Sequence, residues 1–307
     1  MSSATTKTAT WVAADWGTSH LRLWPMDAEG SPLTRIDSDR GMGAIAQEDY
    51  ESVLIAELEP YLPTSGCLTV VVCGMAGSRQ GWAEAPYAAT PCSPPSIAAA
   101  TKVATVDARL SVHILPGVKQ IAPADVMRGE ETQIAGVLAA NPDLDGVICL
   151  PGTHTKWACV SGGRINRFAT FMSGEAFHLI STESVLRHTV AEDGWDDDAF
   201  AQGCEIARKD PAALLSAMFS LRAEALLADL SPVASRARLS GLLVGAEIEA
   251  ARPSWSGRSV IIVGENGMAS AYAAALSQQG ADATIANAEE TTLAGLRAAH
   301  AHLNQEV

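Results

Sequence analysis

Residues Trp11 to Trp24 read W-V-A-A-D-W-G-T-S-H-L-R-L-W. Trp11 to Ala14 form a short apolar run, as expected of a strand buried on both faces. Asp15 ends the run. Gly17, Thr18 and Ser19 then supply turn residues with small hydroxyls and open backbone N–H groups. Leu21, Leu23 and Trp24 resume a strand pattern around Arg22. The stretch reads as a strand, a polar turn with a carboxylate at its entrance, and a second strand. Such a turn makes a concavity for a nucleotide phosphate, and the carboxylate can hold Mg²⁺ directly or through water. A lone D-x-G-T also fits an Asp that merely caps its hairpin.

A second turn of the same type shifts that balance. Leu150 to Val160 reads L-P-G-T-H-T-K-W-A-C-V, again between apolar runs. Two Gly-Thr hairpins, one opening each half, suggest two similar α/β domains clasping a nucleotide. N-P-D-L-D-G (Asn141 to Gly146) is the best linker, dividing the chain into residues 1–143 and 144–307.

The rest of the composition narrows the function class. With 307 residues the chain can bury one large or two ordinary domains. A net charge of −14 argues against a nucleic-acid binder, which needs a basic face. It leaves room for anionic ligands, since a local Arg or a backbone nest can hold one. No apolar run approaches a membrane span, and the N-terminal M-S-S-A-T-T-K-T-A-T reads as a frayed tail without a secretory signal. The six cysteines show no C-x-x-C and no zinc spacing, as expected of buried free thiols in a reducing cytosol. Walker A, G-x-S-x-G and H-E-x-x-H motifs are missing, which disfavours classical P-loop transferases, α/β-hydrolases and zincins.

Between the hairpins, the pattern predicts a third strand within Ser31–Asp39, a helix over Gln47–Leu58 and a central strand at Leu68–Cys73. R-G-M-G-A-I-A (Arg40 to Ala46) reads as a flexible loop rather than a dinucleotide turn, because D-S-D-R and not a buried strand precedes it. The central strand runs into G-M-A-G-S-R-Q-G-W (Gly74 to Trp82), a glycine-rich loop where open α/β sheets bind ligands. Pro86 to Ser96 reads as loop, Ile97–Ala108 as weakly helical and Val112–Leu115 as strand. Ala124–Leu138 places Asp125, Arg128, Glu130 and Glu131 at a helix start, where the dipole alone would favour the acids. After the second hairpin, Arg164–Thr170 reads as a strand, with Ser173 as N-cap of a following helix. E-D-G-W-D-D-D (Glu192 to Asp198) lacks EF-hand spacing and reads as a solvated, capping loop. Pro211–Leu230 reads as an amphipathic helix. Leu239–Val244 and Val260–Val263 each read as a strand leading through a Gly turn into a helix, and Ala288–His302 as the last helix.

Taken together, D-W-G-T-S-H-L-R, G-M-A-G-S-R-Q-G-W, D-V-M-R-G-E-E-T-Q, L-P-G-T-H-T-K-W and F-M-S-G-E resemble the 2-dehydro-3-deoxygalactonokinase family, in the family's order and over nearly the whole chain. The resemblance implies two actin-like (ribonuclease H-like) ATPase domains around a central nucleotide cleft, with helix 288–302 packing back on the N-terminal domain. It implies phosphorylation of 2-dehydro-3-deoxy-D-galactonate by ATP at the terminal (6-) hydroxyl, in galactose and galactonate breakdown in the cytoplasm. Gly17, Thr18 and Ser19, with Gly152, Thr153, His154, Thr155 and Lys156, would cradle the phosphates, and Asp15 would hold Mg²⁺. Arg79, Gln80 and Trp82, joined by Arg22 and Glu175, would contact the acceptor. Glu130 falls where wider sugar kinases place the acidic base, with Glu131 adjacent as the alternative register. The expected partners are the sugar acid and ATP, with no nucleic acid or membrane, and a homo-oligomer stays open. V-G-E-N-G and V-G-A-E stand where the wider superfamily often carries paired glycines at the adenine-binding end. Rival readings are a kinase for another sugar or sugar acid, and a nucleotide-binding regulatory ATPase on the same fold.

Overall fold

The structure is a computed structural model describing residues 8–265 and 267–301; residues 1–7 of the expected tail, Asn266 of V-G-E-N-G and His302 of the last helix lie outside them. The chain forms two compact units. Unit 1 comprises Met1–Leu144, Gly162–Asn166 and Ala288–Val307, and unit 2 comprises Asp145–Ser161 and Arg167–Asn287.

Unit 1 is built on strands β1 (Trp11–Trp16), β2 (Leu21–Met26) and β3 (Ile36–Ser38), helix α1 (Tyr50–Leu58), and strand β4 (Leu68–Gly74). Strands β5 (Tyr87–Ala89), β6 (Thr101–Lys102), β7 (Leu110–Ile114), β8 (Gly117–Gln120) and β9 (Asp125–Met127) follow, then α2 (Glu130–Ala140). The main sheet has the order β3-β2-β1-β4-β7-β6, and β5-β8-β9 make a smaller one. The alternating Cβ directions of a strand explain why β1 is apolar on both faces up to Asp15. Val12, Ala14 and Trp16 pack with Tyr50, Leu54 and Leu58 of α1. Trp11 and Ala13 pack on the other face with Leu293, Leu296 and Ala299.

Unit 2 continues with β10 (Gly146–Leu150), β11 (Thr155–Ser161), β12 (Arg164–Phe171) and helices α3 (Ser173–Glu183), α4 (Asp197–Lys209), α5 (Leu214–Leu227) and α6 (Pro232–Trp255). It ends with β13 (Ser259–Val263), α7 (Met268–Ser277) and β14 (Asp282–Ala286); α8 (Ala288–Ala301) belongs to unit 1. Its sheet order is β12-β11-β10-β13-β14. In each unit the hairpin pair is antiparallel and its first strand pairs in parallel with the next sheet neighbour, β4 or β13. Over five strands the two sheets therefore share one order, and unit 1 adds β6 as an antiparallel edge.

Several expectations need correction. Leu239–Val244 is not a strand but the middle of the 24-residue helix α6. Its glycines are contact points with α4: a Cβ on Gly241 would lie 2.1 Å from the Phe200 carbonyl oxygen, and one on Gly245 2.6 Å from the Cys204 Cα. Ile97–Ala108 contains one 3₁₀ turn (Ile97–Ala99) and the short β6, with no longer helix. Asp125 lies on β9 and Arg128 precedes α2, so the helix starts only at Glu130. Ser173 is the first residue of α3 and not its cap. Part of the expected loop 86–96 is the strand β5. Of the cysteines, Cys73, Cys149, Cys159 and Cys204 are buried, while Cys67 is exposed and Cys92 half-buried.

Helices α2 and α8 cross with their backbones almost touching. A Cβ on Gly136 would sit 1.9 Å from the Thr291 carbonyl oxygen, and one on Gly295 1.9 Å from that of Thr132. The Gly136→Ala substitution should therefore destabilise the protein despite alanine's better helix propensity. Overpacking of this kind costs about 1–3 kcal/mol. Urea unfolding followed by circular dichroism measures it, and an unchanged midpoint would mean the helices can separate freely.

Candidate active site

Asp15 is the last polar position of β1 and pairs across the hairpin with Arg22. Arg22 Nη1 donates to Asp15 Oδ2 at 3.1 Å, and the Cys73 thiol lies 3.8 Å from Oδ1. Burial pushes the Asp15 carboxyl above the ordinary range; Arg22 opposes the shift and the charge of Glu130 adds to it. Asp15 and Glu130 are thus electrostatic neighbours although 115 positions apart in sequence (130 − 15).

Two glycines with positive φ bring them together. Gly74 (φ +90) ends β4 and Gly129 (φ +111) precedes α2. A Cβ on Gly129 would be 3.5 Å from the Gly74 Cα, while one on Gly74 would lie 2.7 Å from the Trp16 carbonyl and 3.4 Å from Asp15 Oδ1. Only glycine takes up both the left-handed backbone and this closeness cheaply. The turn before α2 ties its acids to its own backbone. The Arg128 N–H donates to Glu130 Oε2 at 3.1 Å, and the Gly129 N–H lies 2.9 and 2.8 Å from the two oxygens of Glu131. Glu130 is half-buried, whereas Glu131 is 1% exposed. Burial, helped by the charge of Glu130, raises the Glu131 carboxyl to about 8.

Each Gly-Thr turn is backed by a glycine from a later segment. A Cβ on Gly41 would fall 2.3 Å from the Ser19 carbonyl carbon and 2.4 Å from the Thr18 oxygen. The Met42 and Gly43 N–H groups donate to the Gly17 and Thr18 carbonyls at 3.0 and 2.9 Å, and Trp16 Nε1 donates to the Arg40 carbonyl at 2.9 Å. In unit 2 a Cβ on Gly174 would lie 2.3 Å from the Gly152 oxygen, and the Glu175 N–H donates to the Thr153 carbonyl at 3.0 Å. Both turns have carbonyls occupied from behind, and Thr18, Ser19, Gly152, Thr153 and His154 are exposed. Thr155 and Lys156 are buried, with Lys156 Nζ donating to the His154 carbonyl at 3.2 Å. His154 Nε2 is hydrogen-bonded to Glu175 Oε2, so two residues expected to touch different ligands touch each other.

The loop after β4 spreads its expected contacts. Arg79 is exposed beside Glu84, at 3.7 Å, and Gln80 is exposed. Trp82 instead leans on Trp16 and Tyr50, with ring centroids 5.9 and 5.7 Å apart. Arg128 anchors the far end of this loop: Nη2 donates to the Ala85 carbonyl at 2.7 Å, and the guanidinium sits 4.3 Å from the Tyr87 ring centroid. Sequence pattern leaves Arg128 among helix residues and does not single out Tyr87, whose partnership depends on the small sheet.

Beneath the second turn lies Glu247 of α6, 2% exposed. It accepts from Trp157 Nε1 at 2.8 Å and from the Tyr272 hydroxyl at 3.0 Å to each oxygen. Burial raises its carboxyl, against hydrogen bonds from Ser173, Trp157, Tyr272 and Thr155. Beside this network opens a cavity of about 270 Å³ whose lining includes Gly152, Phe177, Leu243, Val244 and Met268. Among the described residues no cluster of three or more His, Cys, Asp or Glu could hold a metal by itself, and no helix is long and apolar enough to cross a membrane.

The sequence model of the 2-keto-3-deoxy-galactonokinases matches residues 15–299, a span running from Asp15 into α8. The chain belongs to the 2-keto-3-deoxy-galactonokinase family. DgoK1 of Rhizobium meliloti, assigned as a 2-dehydro-3-deoxygalactonokinase, is 39% identical over 94% of this chain and 96% of its own length. The 2-dehydro-3-deoxygalactonokinase of Escherichia coli is 32% identical over 97% of this chain and all of its own. A Sinorhizobium meliloti crystal structure assigned to the same kinase superposes with a TM-score of 0.87 at 37% identity, covering 97% of both chains. The ADPNP-bound activator of 2-hydroxyisocaproyl-CoA dehydratase from Clostridium difficile, 11% identical with a TM-score of 0.51 over 97% of both chains, shares the α/β fold alone.

The burial and the buttressing in this candidate site each have a measurable effect. An acid whose carboxyl is raised on folding loses stability as pH climbs from its unfolded value to its folded one, because the folded state holds the proton longer. Glu131→Gln should therefore flatten the fall in stability between pH 4.5 and about 8. The gain over wild type at the upper end is on the order of 1–3 kcal/mol. Denaturation across that range measures it, and parallel curves would place the Glu131 carboxyl elsewhere on the scale. Gly41→Ala and Gly174→Ala should each displace a turn and raise KM for nucleotide about tenfold or more, since about 1.4 kcal/mol of misplacement suffices. Steady-state kinetics at saturating acceptor decides this, and unchanged KM values would detach the turns from nucleotide binding.

Proposed function

We propose that this protein is an ATP-dependent kinase that phosphorylates 2-dehydro-3-deoxy-D-galactonate at its terminal (6-) hydroxyl, as a step of galactonate breakdown in the cytoplasm. One observation carries the reading: a chain of this family holds two glycine-backed Gly-Thr turns, and beside the first of them the carboxylates of Asp15 and Glu130 converge. The repeated sheet topology fits the actin-like ATPase plan, residues 1–143 and 144–307 being read as its two domains with α8 returned to the first.

Phosphoryl transfer asks a protein chiefly to position groups and to stabilise charge. The turns Gly17–Ser19 and Gly152–Lys156 direct backbone N–H groups and hydroxyls to the phosphates, their carbonyls being turned to the buttressing segments. Asp15 fits a Mg²⁺ that arrives with the nucleotide, because Mg²⁺ commonly takes one or two carboxylates plus phosphate and water oxygens. When bound, that ion supplies charge neutralisation along the phosphates. Arg22 holds the Asp15 carboxylate in place.

Glu130 takes the proton of the acceptor hydroxyl. It stands half-buried as the first residue of α2, and a carboxylate within reach of that hydroxyl is the group such a transfer needs. Glu131 suits the role less well, since both its oxygens face the Gly129 N–H in a buried site. Arg79 presents a fork that matches the acceptor's carboxylate, with Gln80 and Trp82 on the same loop and Glu175 and Arg22 completing the polar contacts.

A coupled assay with ATP and the galacto and gluco epimers of the acid tests the reading, and absence of transfer to either would end it. Glu130→Gln should lower kcat by roughly 10²–10⁴-fold with nucleotide binding and melting temperature nearly unchanged. If Glu131→Gln shows that loss instead, the base lies one residue on. Arg79→Lys should raise KM for the sugar acid more than KM for ATP; equal, wild-type values for both would remove the loop from the acceptor site.

A further inference from the structure

The cavity in unit 2 begins at Pro151 and Gly152, the first residues of the second turn, and runs between α3, α6 and α7. A nucleotide whose phosphates rest on that turn enters the cavity with its base, and this placement of the base rests on the proposed phosphate-binding role of the turn. Phe177, Leu243, Val244 and Met268 contribute apolar wall. Three hydroxyl residues line it as well: Ser173, Ser240 and Tyr272. Two of these hydroxyls are already committed. Tyr272 donates to Glu247, and Ser173 is hydrogen-bonded to the same carboxylate. Glu247 is buried, and its other partner Trp157 is a core residue, so the network is part of the unit's framework.

We infer that this protein recognises the base of its phosphate donor by shape and apolar contact, with little hydrogen-bond readout, and accepts purine nucleoside triphosphates with only modest preference. Glu247 is the residue that determines this, because it accepts hydrogen bonds from the Tyr272 and Ser173 hydroxyls and so removes both as donors to the ligand. Adenine and guanine differ in the donors and acceptors on their pairing edges, and telling them apart strongly requires groups that are left unpaired by the wrong base. A site built that way rejects the analogue by about 10⁴–10⁵-fold, whereas an apolar pocket discriminates by about 10–200-fold.

The test compares kcat/KM for ATP, GTP and ITP on the wild-type protein at saturating sugar acid. The three should agree within about 200-fold; a wider spread overturns the inference while leaving the kinase reading intact. If no nucleotide supports transfer, the kinase reading has failed, and calorimetric titration with ADP and GDP decides the inference separately by the same limit. Leu243→Trp, which fills the cavity, should raise KM for ATP and GTP together and leave KM for the sugar acid alone. A folded Leu243→Trp protein with both nucleotide constants unchanged would show that the base does not enter here.

Discussion

Backbone laid directly on backbone is the constraint on which the candidate site depends. A turn that is to receive an anion must face it with N–H groups, yet every peptide also carries a carbonyl that repels one. Here the carbonyls of Gly17, Thr18 and Thr153 are taken by N–H groups of Met42, Gly43 and Glu175. That approach is possible because Gly41 and Gly174 have no Cβ to hold the segments apart. The same device recurs on a larger scale where α2 meets α8 and where α4 meets α6. Close backbone packing of this sort leaves few alternative arrangements, so the turns are set by their surroundings more than by their own short sequences.

Electrostatics divide the acids of unit 1 into different tasks. Asp15 and Glu130 are electrostatic neighbours; burial and the charge of Glu130 push the Asp15 carboxyl up, and Arg22 works against them. Glu131, one residue away from Glu130, turns its carboxylate onto the Gly129 amide and into the protein, where desolvation favours its protonated form. A single step along a helix start thus separates a half-buried carboxylate from a structural one. Spacing alone leaves these two in balance; burial separates them.

Strands buried on both faces were the most legible elements, because β1, β4 and β10 each carry an unbroken apolar run that leads into a glycine-containing turn. Helix α6 defeated the same logic. Its buried middle, Leu239 to Val244, is as apolar as a strand, and Gly241 and Gly245 look like turn residues when they serve close contact with α4. Glu247, three residues beyond that misread segment, was consequently missed as the organiser of Trp157, Ser173 and Tyr272. The Arg40–Ala46 loop was expected to be flexible, and its role behind the first turn depends on contacts that no local pattern encodes. The small β5-β8-β9 sheet escaped notice for a related reason, its strands being too short to display alternation. Of the candidate residues, the pairing of His154 with Glu175 and the inward lean of Trp82 are tertiary facts that no local pattern encodes.

The shared strand order of the two units has a bearing on descent as well as on mechanics. Gly17-Thr18 and Gly152-Thr153 occupy matching places after the first strand of each sheet, yet the position of Asp15 is filled by Leu150 in the other copy. If one ancestral half gave rise to both, the acid was kept or acquired on one side alone. Divergence would then have left an acid at the mouth of the hairpin in one half alone, a specialisation recorded at one residue of a repeated hairpin.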